Sequence, residues 1–441
     1  MKHKLKKVFP HYKGQEWIQA KLPDTVQPWV EGRKKSIRQR NGTHRKTCQR
    51  LAGMVNDHEW HWPRHPVFFI TDIHADADAL MASLVASGGI HKTGAADKDF
   101  RLTKAAKHAR FVIGGDCFDK GPSNLRLLRM LKRLKHRGAD LRLLAGNHDI
   151  RVMLGMRSVG KYRTHQNEHF FVRMGPKAIP LIQEISDQYI DKHALKHIPS
   201  NKKCRHLLFP SDYWFEHFPD TAREMLSHSA VERELGKIAK KIDRFEGQCE
   251  DAGLSMRQVY AATMKWQQLF LKSGEEFHWF YDRMRLFYRQ GSFLFIHAGL
   301  DDQVADLIRR KGVKHLNKRF KKQLLKNDLS FYYGPIANSI RTKYRAADHP
   351  LTRSGARDAH HSGIHAIIHG HRNVYHGQRI SLRKELINFE CDTTMDSGSR
   401  KKEGLKGAGA GVTIIHPNKL ILGISSDHEH AKVFDPSAIC V

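Results

Sequence analysis

Residues 67–74 read Val-Phe-Phe-Ile-Thr-Asp-Ile-His, an apolar run that ends directly in an aspartate and a histidine. A short apolar run bounded by polar residues is typical of a strand buried on both faces. Asp72 and His74 lie two positions apart, so at an extended strand end both can reach the same metal ion. The stretch therefore predicts a buried sheet whose strand ends carry metal ligands.

The same arrangement recurs along the chain. Four further polar clusters, most of them directly after an apolar run, are Gly115-Asp116-Cys-Phe-Asp119, Gly146-Asn147-His148-Asp149, His297-Ala-Gly299 and His369-Gly-His371. Helical spacing over 76–86 and 123–136, between the first three clusters, predicts an α/β fold with strand, ligand loop and helix repeated three times. Because sites in such sheets gather at the carboxyl ends of the strands, these clusters are expected on one rim.

A chain of 441 residues is too long for one small domain. We divide it into a basic N-terminal extension (1–60), a catalytic domain (61–150 and 291–430), a helical insertion (151–290) and a C-terminal tail (431–441). The insertion follows from apolar residues at helical spacing and is a candidate cap over the site. Residues 397–411 are predicted to be a flexible surface loop, and 411–415 with 420–424 a closing hairpin.

The formal net charge is +31 and the pI about 10.0. Such a surface attracts phosphorylated molecules, nucleic acid, acidic proteins or lipid headgroups, and charge alone does not choose among them. The six cysteines form no CxxC pair, which indicates reduced thiols. With no apolar leader and no spanning stretch, a cytoplasmic protein without a membrane span is expected.

The ligand set mixes carboxylate, amide and imidazole groups, which suits Mn²⁺, Fe or Zn²⁺. Two such ions can clamp a phosphoryl oxygen and lower the pKa of a bridging water. Asp116 is the natural bridging ligand because one carboxylate has two oxygens. His148 is the candidate general acid for the leaving oxygen, and Asp119 is expected to hold and polarise its imidazole.

In these motifs the chain resembles the metallo-dependent (calcineurin-like) phosphoesterase superfamily, with its Asp-x-His, Gly-Asp-x-x-Asp, Gly-Asn-His-Glu/Asp, His-x-Gly and late His motifs. The match is closest to bacterial phosphoprotein phosphatases and symmetrical dinucleoside tetraphosphatases. The resemblance implies a β-sandwich flanked by helices and two divalent ions, Mn²⁺ foremost. It also implies Asp72, His74 and Asp116 at the first metal, and Asp116, Asn147, His297 and His371 at the second.

The chain departs from the family pattern at the groups that would bind phosphate. Lys120 stands where the family has an arginine, which keeps the charge but loses the bidentate fork. Arg341 is a loose match to a further phosphate-binding arginine, and Arg345 and Arg353 compete with it. Gly370-His371-Arg372-Asn373 lacks a second metal-binding histidine, which favours the phosphoprotein phosphatase pattern.

The expected function is hydrolysis of a phosphomonoester, protein-borne or small, by metal-activated water without a covalent intermediate. One alternative is a dinucleoside polyphosphate or other nucleotide hydrolase. Others are a nucleic-acid phosphodiesterase, for which binding would depend strongly on salt, and a non-catalytic nucleic-acid-binding protein.

Overall fold

The computed structural model describes residues 8–29, 37–38, 44–191, 193–326 and 329–439. In chain order its strands are β1 (Thr25–Pro28), β2 (Ile37–Arg38), β3 (Val67–Ile70), β4 (Ile90–Lys92), β5 (Phe100–Leu102), β6 (Arg110–Ile113), β7 (Asp140–Leu144), β8 (Met284–Arg285), β9 (Tyr288–Gln290), β10 (Phe293–Phe295), β11 (Ala366–His369), β12 (Arg379–Arg383), β13 (Leu386–Glu390), β14 (Gly411–His416), β15 (Leu420–Ser425) and β16 (His430–Phe434).

Most of the helices in the first part of the chain lie in the segment 147–283. They are α1 (His44–Asn56), α2 (Ala77–Ala86), α3 (Asn124–His136), α4 (Asn147–Arg157), α5 (Phe170–Met174), α6 (Ile179–Tyr189), α7 (Asn201–Leu208), α8 (Asp212–Ala222), α9 (His228–Asp251), α10 (Met256–Leu271) and α11 (His278–Arg283). The later helices are α12 (Asp302–Lys326, broken at Gly312), α13 (Leu329–Tyr333), α14 (Pro335–Asn338), α15 (Arg353–His361) and α16 (Ser397–Lys402).

Within the described residues, two large sheets form a sandwich. One has the strand order β1-β16-β15-β14-β3-β6-β7-β8, and the other β2-β12-β13-β11-β10-β9. Strands β3, β6, β7 and β8 are parallel to one another, as are β10, β11 and β13. The predicted α/β sandwich flanked by helices is confirmed.

Alternation along the strands explains how both faces of each sheet are buried. Val67 and Phe69 point into the interior between the sheets, while Phe68 and Ile70 pack against the outer helices. The Phe69 ring lies 5.7 Å from the Phe295 ring of the opposite sheet. A strand buried on both faces reads as a continuous apolar run, which is why residues 67–70 show no alternation of apolar and polar side chains.

Several elements follow the sequence prediction closely. The N-cap of α2 is Asp76, and the N-cap of α3 is Ser123, whose side chain accepts from the backbone N–H of Arg126. Strands β14 and β15 form the predicted antiparallel hairpin.

The prediction of a flexible loop over 397–411 is wrong at its start. Residues 397–402 form α16, capped by Asp396. Arg400 of this helix is buried and pairs with Asp427 at 2.8 Å.

The described part of the N-terminal extension packs on the sandwich. Strand β1 pairs in parallel with β16, and the buried Trp29 ring meets Phe389 at 5.4 Å. Residues 1–7, 30–36 and 39–43, and Cys440 of the tail, lie outside the described residues. In the described part of the chain, no helix has the length and apolar character that crossing a membrane requires.

Candidate metal centre

The predicted ligands follow the carboxyl ends of five strands, three in one sheet and two in the other. Strands β3, β6 and β7 lead into Asp72, Asp116 and Asn147. Strands β10 and β11 lead into His297 and His371. The two sheets therefore contribute predicted ligands to one site at a shared edge of the sandwich.

The backbone at this edge is strained. A positive φ is rare outside glycine because the Cβ atom crowds the carbonyl oxygen. Non-glycine residues in this conformation include Asp72, His74, Asp116, Asp119, Lys120 and His371, with φ between 47° and 71°. Strain concentrated at so many polar residues of one edge is typical of a functional site, where it aims side chains inward.

The side chains converge into two groups that share Asp116. In the first group, ligand atoms of His74, Asp116 and His148 all lie within 4.8 Å of one another. In the second, the same holds for Asp116, His297 and His371. Asp116 and His297 are buried. Buried imidazole and carboxylate groups at this spacing fit a metal site.

Three of these histidines are held by backbone carbonyl oxygens. His74 Nδ1 lies 3.0 Å from the oxygen of Phe118, and His297 Nδ1 lies 2.8 Å from that of Gly114. His371 Nε2 lies 3.0 Å from the oxygen of Arg341. Because a carbonyl only accepts, each of these nitrogens donates, and the other nitrogen of a neutral ring is left with a lone pair. This is how metal-binding histidines are oriented in proteins.

The surroundings of His297 Nε2 favour a cation. This nitrogen lies 3.2 Å from Asn147 Oδ1 and 3.4 Å from Asp116 Oδ2, two further acceptors. Burial alone would lower the pKa of His297, but Asp116 and Asp72 raise the pKa to about 10. The raised pKa shows that these acceptors favour a positive charge at Nε2; a proton supplies it here, and a divalent ion could take the place of that proton.

His148 differs from the other histidines because a carboxylate holds it. Its Nδ1 donates to Asp119 Oδ2 at 2.7 Å, while Nε2 points towards Asp116 Oδ2 at 3.9 Å. Arg151 donates to the same Asp119 oxygen. Burial would raise the pKa of Asp119, but His148 and Arg151 hold the pKa below its usual value. Burial lowers the pKa of His148, and Asp116 and Asp119 offset part of that shift, so a protonated ring would give up its proton readily, as a general acid must.

Residues 65–238 match the family model of the calcineurin-like phosphoesterases. The chain carries a calcineurin-like phosphoesterase domain. The phosphoesterase is accordingly a hydrolase of phosphoric esters. The matched region contains the first three ligand clusters, and His297 and His371 lie beyond it.

Solved structures similar to this chain include phosphatases. A cold-active protein-tyrosine phosphatase of the psychrophile Shewanella sp. is 14% identical, covers 84% of this chain and 80% of its own, and has a TM-score of 0.39. A protein serine/threonine phosphatase from Saccharomyces cerevisiae, with similarity to human PP5, is 11% identical, covers 88% of each chain and has a TM-score of 0.36. These scores are too low to carry a conclusion about this chain. No curated protein matches it.

The two predicted phosphate-binding residues of the phosphoesterase lie at different sides of the centre. Lys120 Nζ is 2.7 Å from His74 Nε2, so this exposed lysine reaches the first group. The Arg341 carbonyl holds His371, and the Arg341 guanidinium donates to the Tyr332 carbonyl oxygen at 2.7 Å. Arg353, a competitor for the same role, instead pairs with Glu385 at 3.3 Å.

Asp149 is a residue of the phosphoesterase to which sequence reasoning gave no role. Its buried carboxylate accepts the backbone N–H groups of Asp116, Cys117 and Gly146 at 2.8–3.0 Å. Burial and Asp116 raise the pKa of Asp149 to about 7. Asp149 thus joins the loops after β6 and β7 from behind the metal ligands.

Two further groups were missed. Arg151 reaches Asp119, and its place one helical turn after His148 was a usable signal. Asp392 is buried beyond the end of β13, and burial and Asp72 raise its pKa well above the usual range. Asp392 follows a strand end as the metal ligands do, but 386–390 was not predicted as a strand.

Proposed function

We propose that the phosphoesterase hydrolyses a phosphomonoester, small or protein-borne, with water activated by two divalent ions. Asp72, His74 and Asp116 would hold one ion. The residues that would hold the second are Asp116, Asn147, His297 and His371. Bound there, the ions supply a water of lowered pKa and offset the charge of the phosphoryl oxygens. Oxygen and imidazole donors favour Mn²⁺, with Fe or Zn²⁺ as alternatives.

The observation that carries the proposal is the His148–Asp119 pair beside Asp116. His148 Nε2 faces the centre, so it can give a proton to the leaving oxygen as the ester bond breaks. Asp119 holds Nδ1 and stabilises the charged ring that precedes this transfer. Lys120 and Arg341 supply positive charge for the non-bridging phosphate oxygens.

The test is turnover of p-nitrophenyl phosphate and of its bis-ester with Mn²⁺. We expect Asp116→Asn to abolish turnover and His148→Asn to reduce it about 100- to 10,000-fold, the range that general acid catalysis contributes. His228→Asn is the control, since this histidine is 89% exposed and forms an ion pair with Glu232 at 3.6 Å, far from the predicted ligands in the sequence.

Three outcomes separate the alternatives. Loss of monoester turnover in both variants supports the phosphatase. A preference for the bis-ester would instead support a phosphodiesterase acting on nucleic acid through the basic surface. Full activity of His148→Asn would contradict the mechanism and reopen a binding role for this domain.

A further inference from the structure

A small cavity lies beside the general-acid pair and is lined by residues of four helices, three of which contribute cations. Its lining residues are Arg151 of α4, Arg173 of α5, Lys237, Ile238 and Lys241 of α9, and Tyr332 of α13. Its volume is about 140 Å³, about ten times the 10–15 Å³ that one water needs, so a phosphate group has room.

The cavity borders the centre on two sides. Arg151 lines it and also lies 2.9 Å from His148 Nδ1 and donates to Asp119. Tyr332 lines it as well, and the Arg341 guanidinium lies 5.4 Å from the Tyr332 ring. The carbonyl of Arg341 holds His371 of the second ligand group. Arg151 therefore links the cavity to the general-acid pair, and Tyr332 with Arg341 links it to the second ligand group.

The positive charge of the cavity is poorly compensated. No carboxylate is among the described residues that line it. Glu234 pairs with Arg173 from outside, and Asp119 pairs with Arg151. Lys237 and Lys241 are one helical turn apart on α9, a spacing at which like charges destabilise a helix.

The titration of two lining groups reflects this excess. Burial, with Arg173, Arg151, Lys177 and Lys237, lowers the pKa of Lys241 to about 8. Burial would raise the pKa of Tyr332, but Arg173, Arg341 and Arg151 hold it below the usual value. An anion in the cavity would relieve repulsion that the protein alone leaves in place.

The donors are also aimed at a common ligand. The Tyr332 hydroxyl accepts from Arg173 Nε at 2.8 Å, so its own hydrogen can donate to a ligand oxygen. Lys241 Nζ donates one hydrogen bond to the Arg173 carbonyl oxygen at 2.7 Å, and its two other hydrogens can donate to a ligand. Arginine, lysine and tyrosine donors around one space match the acceptor oxygens of a phosphate group.

We propose that this cavity is a second phosphate subsite, so that the substrate carries at least two phosphate groups, one hydrolysed at the centre and one held here. The proposal rests on the proposed function and narrows its substrate class to phosphomonoesters that carry a second phosphate group, that is, organic bisphosphates.

The test compares inhibition of p-nitrophenyl phosphate turnover by tripolyphosphate and by orthophosphate, at a fixed concentration of free Mn²⁺. In the wild type, tripolyphosphate should inhibit competitively and far more tightly than orthophosphate. In Lys237→Gln/Lys241→Gln its inhibition constant should rise about tenfold, because two donors to a charged ligand are lost. The inhibition constant of orthophosphate divided by that of tripolyphosphate should therefore fall about tenfold.

The control is Lys240→Gln/Arg244→Gln. It removes the same charge from the same helix at exposed positions that do not line the cavity, and should leave the ratio unchanged. Lys237→Gln alone changes an exposed position and leaves the packing of Lys241 undisturbed. It should also raise the inhibition constant of tripolyphosphate, but by less than the double variant does.

Equal ratios in the wild type, the double variant and the control would overturn the subsite. So would a variant that loses only non-competitive inhibition by orthophosphate, since that would make the cavity a site for free phosphate.

Calorimetry of tripolyphosphate with protein free of added metal measures the cavity directly. Absence of monoester turnover in the wild type would refute the proposed function, while the calorimetric difference between variants would still decide the subsite.

Discussion

At the scale of single residues, the centre follows from chemistry that the sequence displays. An apolar run followed by Asp, Asn or His is visible without a structure, and each such residue lies at a strand end. Asp149 and Arg151 were missed because their roles depend on what faces them across a loop or a helical turn. No spacing rule shows that Asp149 accepts three N–H groups from two loops.

Glu390 shows how one buried carboxylate can make the stability of the fold depend on pH in the acid range. The fully buried carboxylate pairs with Arg379 at 2.5 Å, Arg383 at 3.3 Å and Arg372 at 3.5 Å. Burial would raise the pKa of Glu390, but the arginines, Arg372 foremost, lower it from 4.5 to about 2.

We predict that Glu390→Gln lowers the free energy of unfolding at pH 7 by roughly 3 kcal/mol. Because the pKa is lower in the folded state, this stabilisation is complete above pH 4.5 and is lost as the pH falls towards 2. The gap between wild type and variant in urea unfolding should therefore shrink over that range. Glu429→Gln, at a position 70% exposed, should show no such gap; a gap that is constant with pH would contradict the assignment.

At the scale of elements, the sequence predicts strands and helices where a periodic apolar pattern exists. The helices at 77–86 and 124–136 begin within one residue of the predicted positions, and the strand at 67–70 lies in the apolar run that starts at Val67. The helix at 397–402 was missed because glycine, serine and lysine are typical of loops. It forms because Asp396 caps it and Arg400 is anchored to Asp427.

The loops after β6 and β7 touch so closely that a side chain cannot fit between them. A Cβ atom on Gly146 would lie 2.1 Å from the backbone N and 2.2 Å from Oδ1 of Asp116. We predict that Gly146→Ala displaces the shared ligand and reduces Mn²⁺ binding, measured by calorimetry, by at least about tenfold, as loss of ligand positioning does.

The matched control for this substitution is Gly236→Ala. Gly236 lies inside α9, and beyond its neighbours and the backbone of that helix no atom of the described residues lies within 4 Å of the place that a Cβ atom would occupy. Alanine should therefore fit and stabilise the helix by up to about 1 kcal/mol. Unaltered Mn²⁺ binding by Gly146→Ala would show that the two loops can separate without loss of the centre.

At the scale of the whole molecule, the centre joins two sheets that are also held by apolar packing and by buried hydrogen bonds, such as those from Gln378 Nε2 to the carbonyl oxygens of Val412 and Ile424. Asp72, Asp116 and Asn147 come from one sheet, and His297 and His371 come from the other. The sequence indicated a shared rim, but the pairing of strands far apart in the chain was not visible from any local pattern.

Because its ligands come from both sheets, bound metal should stabilise the entire fold. A ligand that binds only the folded state, at about 100 to 1,000 times its dissociation constant, contributes about 3–4 kcal/mol. We predict that EDTA lowers the melting temperature of the wild type by several degrees and that excess Mn²⁺ restores it. His297→Asn should start lower and respond less to EDTA; an equal response in both proteins would place the stabilising metal elsewhere.

The order of the proposed ligands along the chain determines when each ion site can assemble during translation. During translation the ribosome makes Asp72, His74, Asp116 and Asn147 well before His297, because α4 to α11 intervene. On the proposed assignment, a nascent chain can assemble the first ion site while the second still lacks both of its histidines. Premature termination anywhere before His371 would then yield an inert product, so hydrolysis could begin only after His371 has been added to the chain.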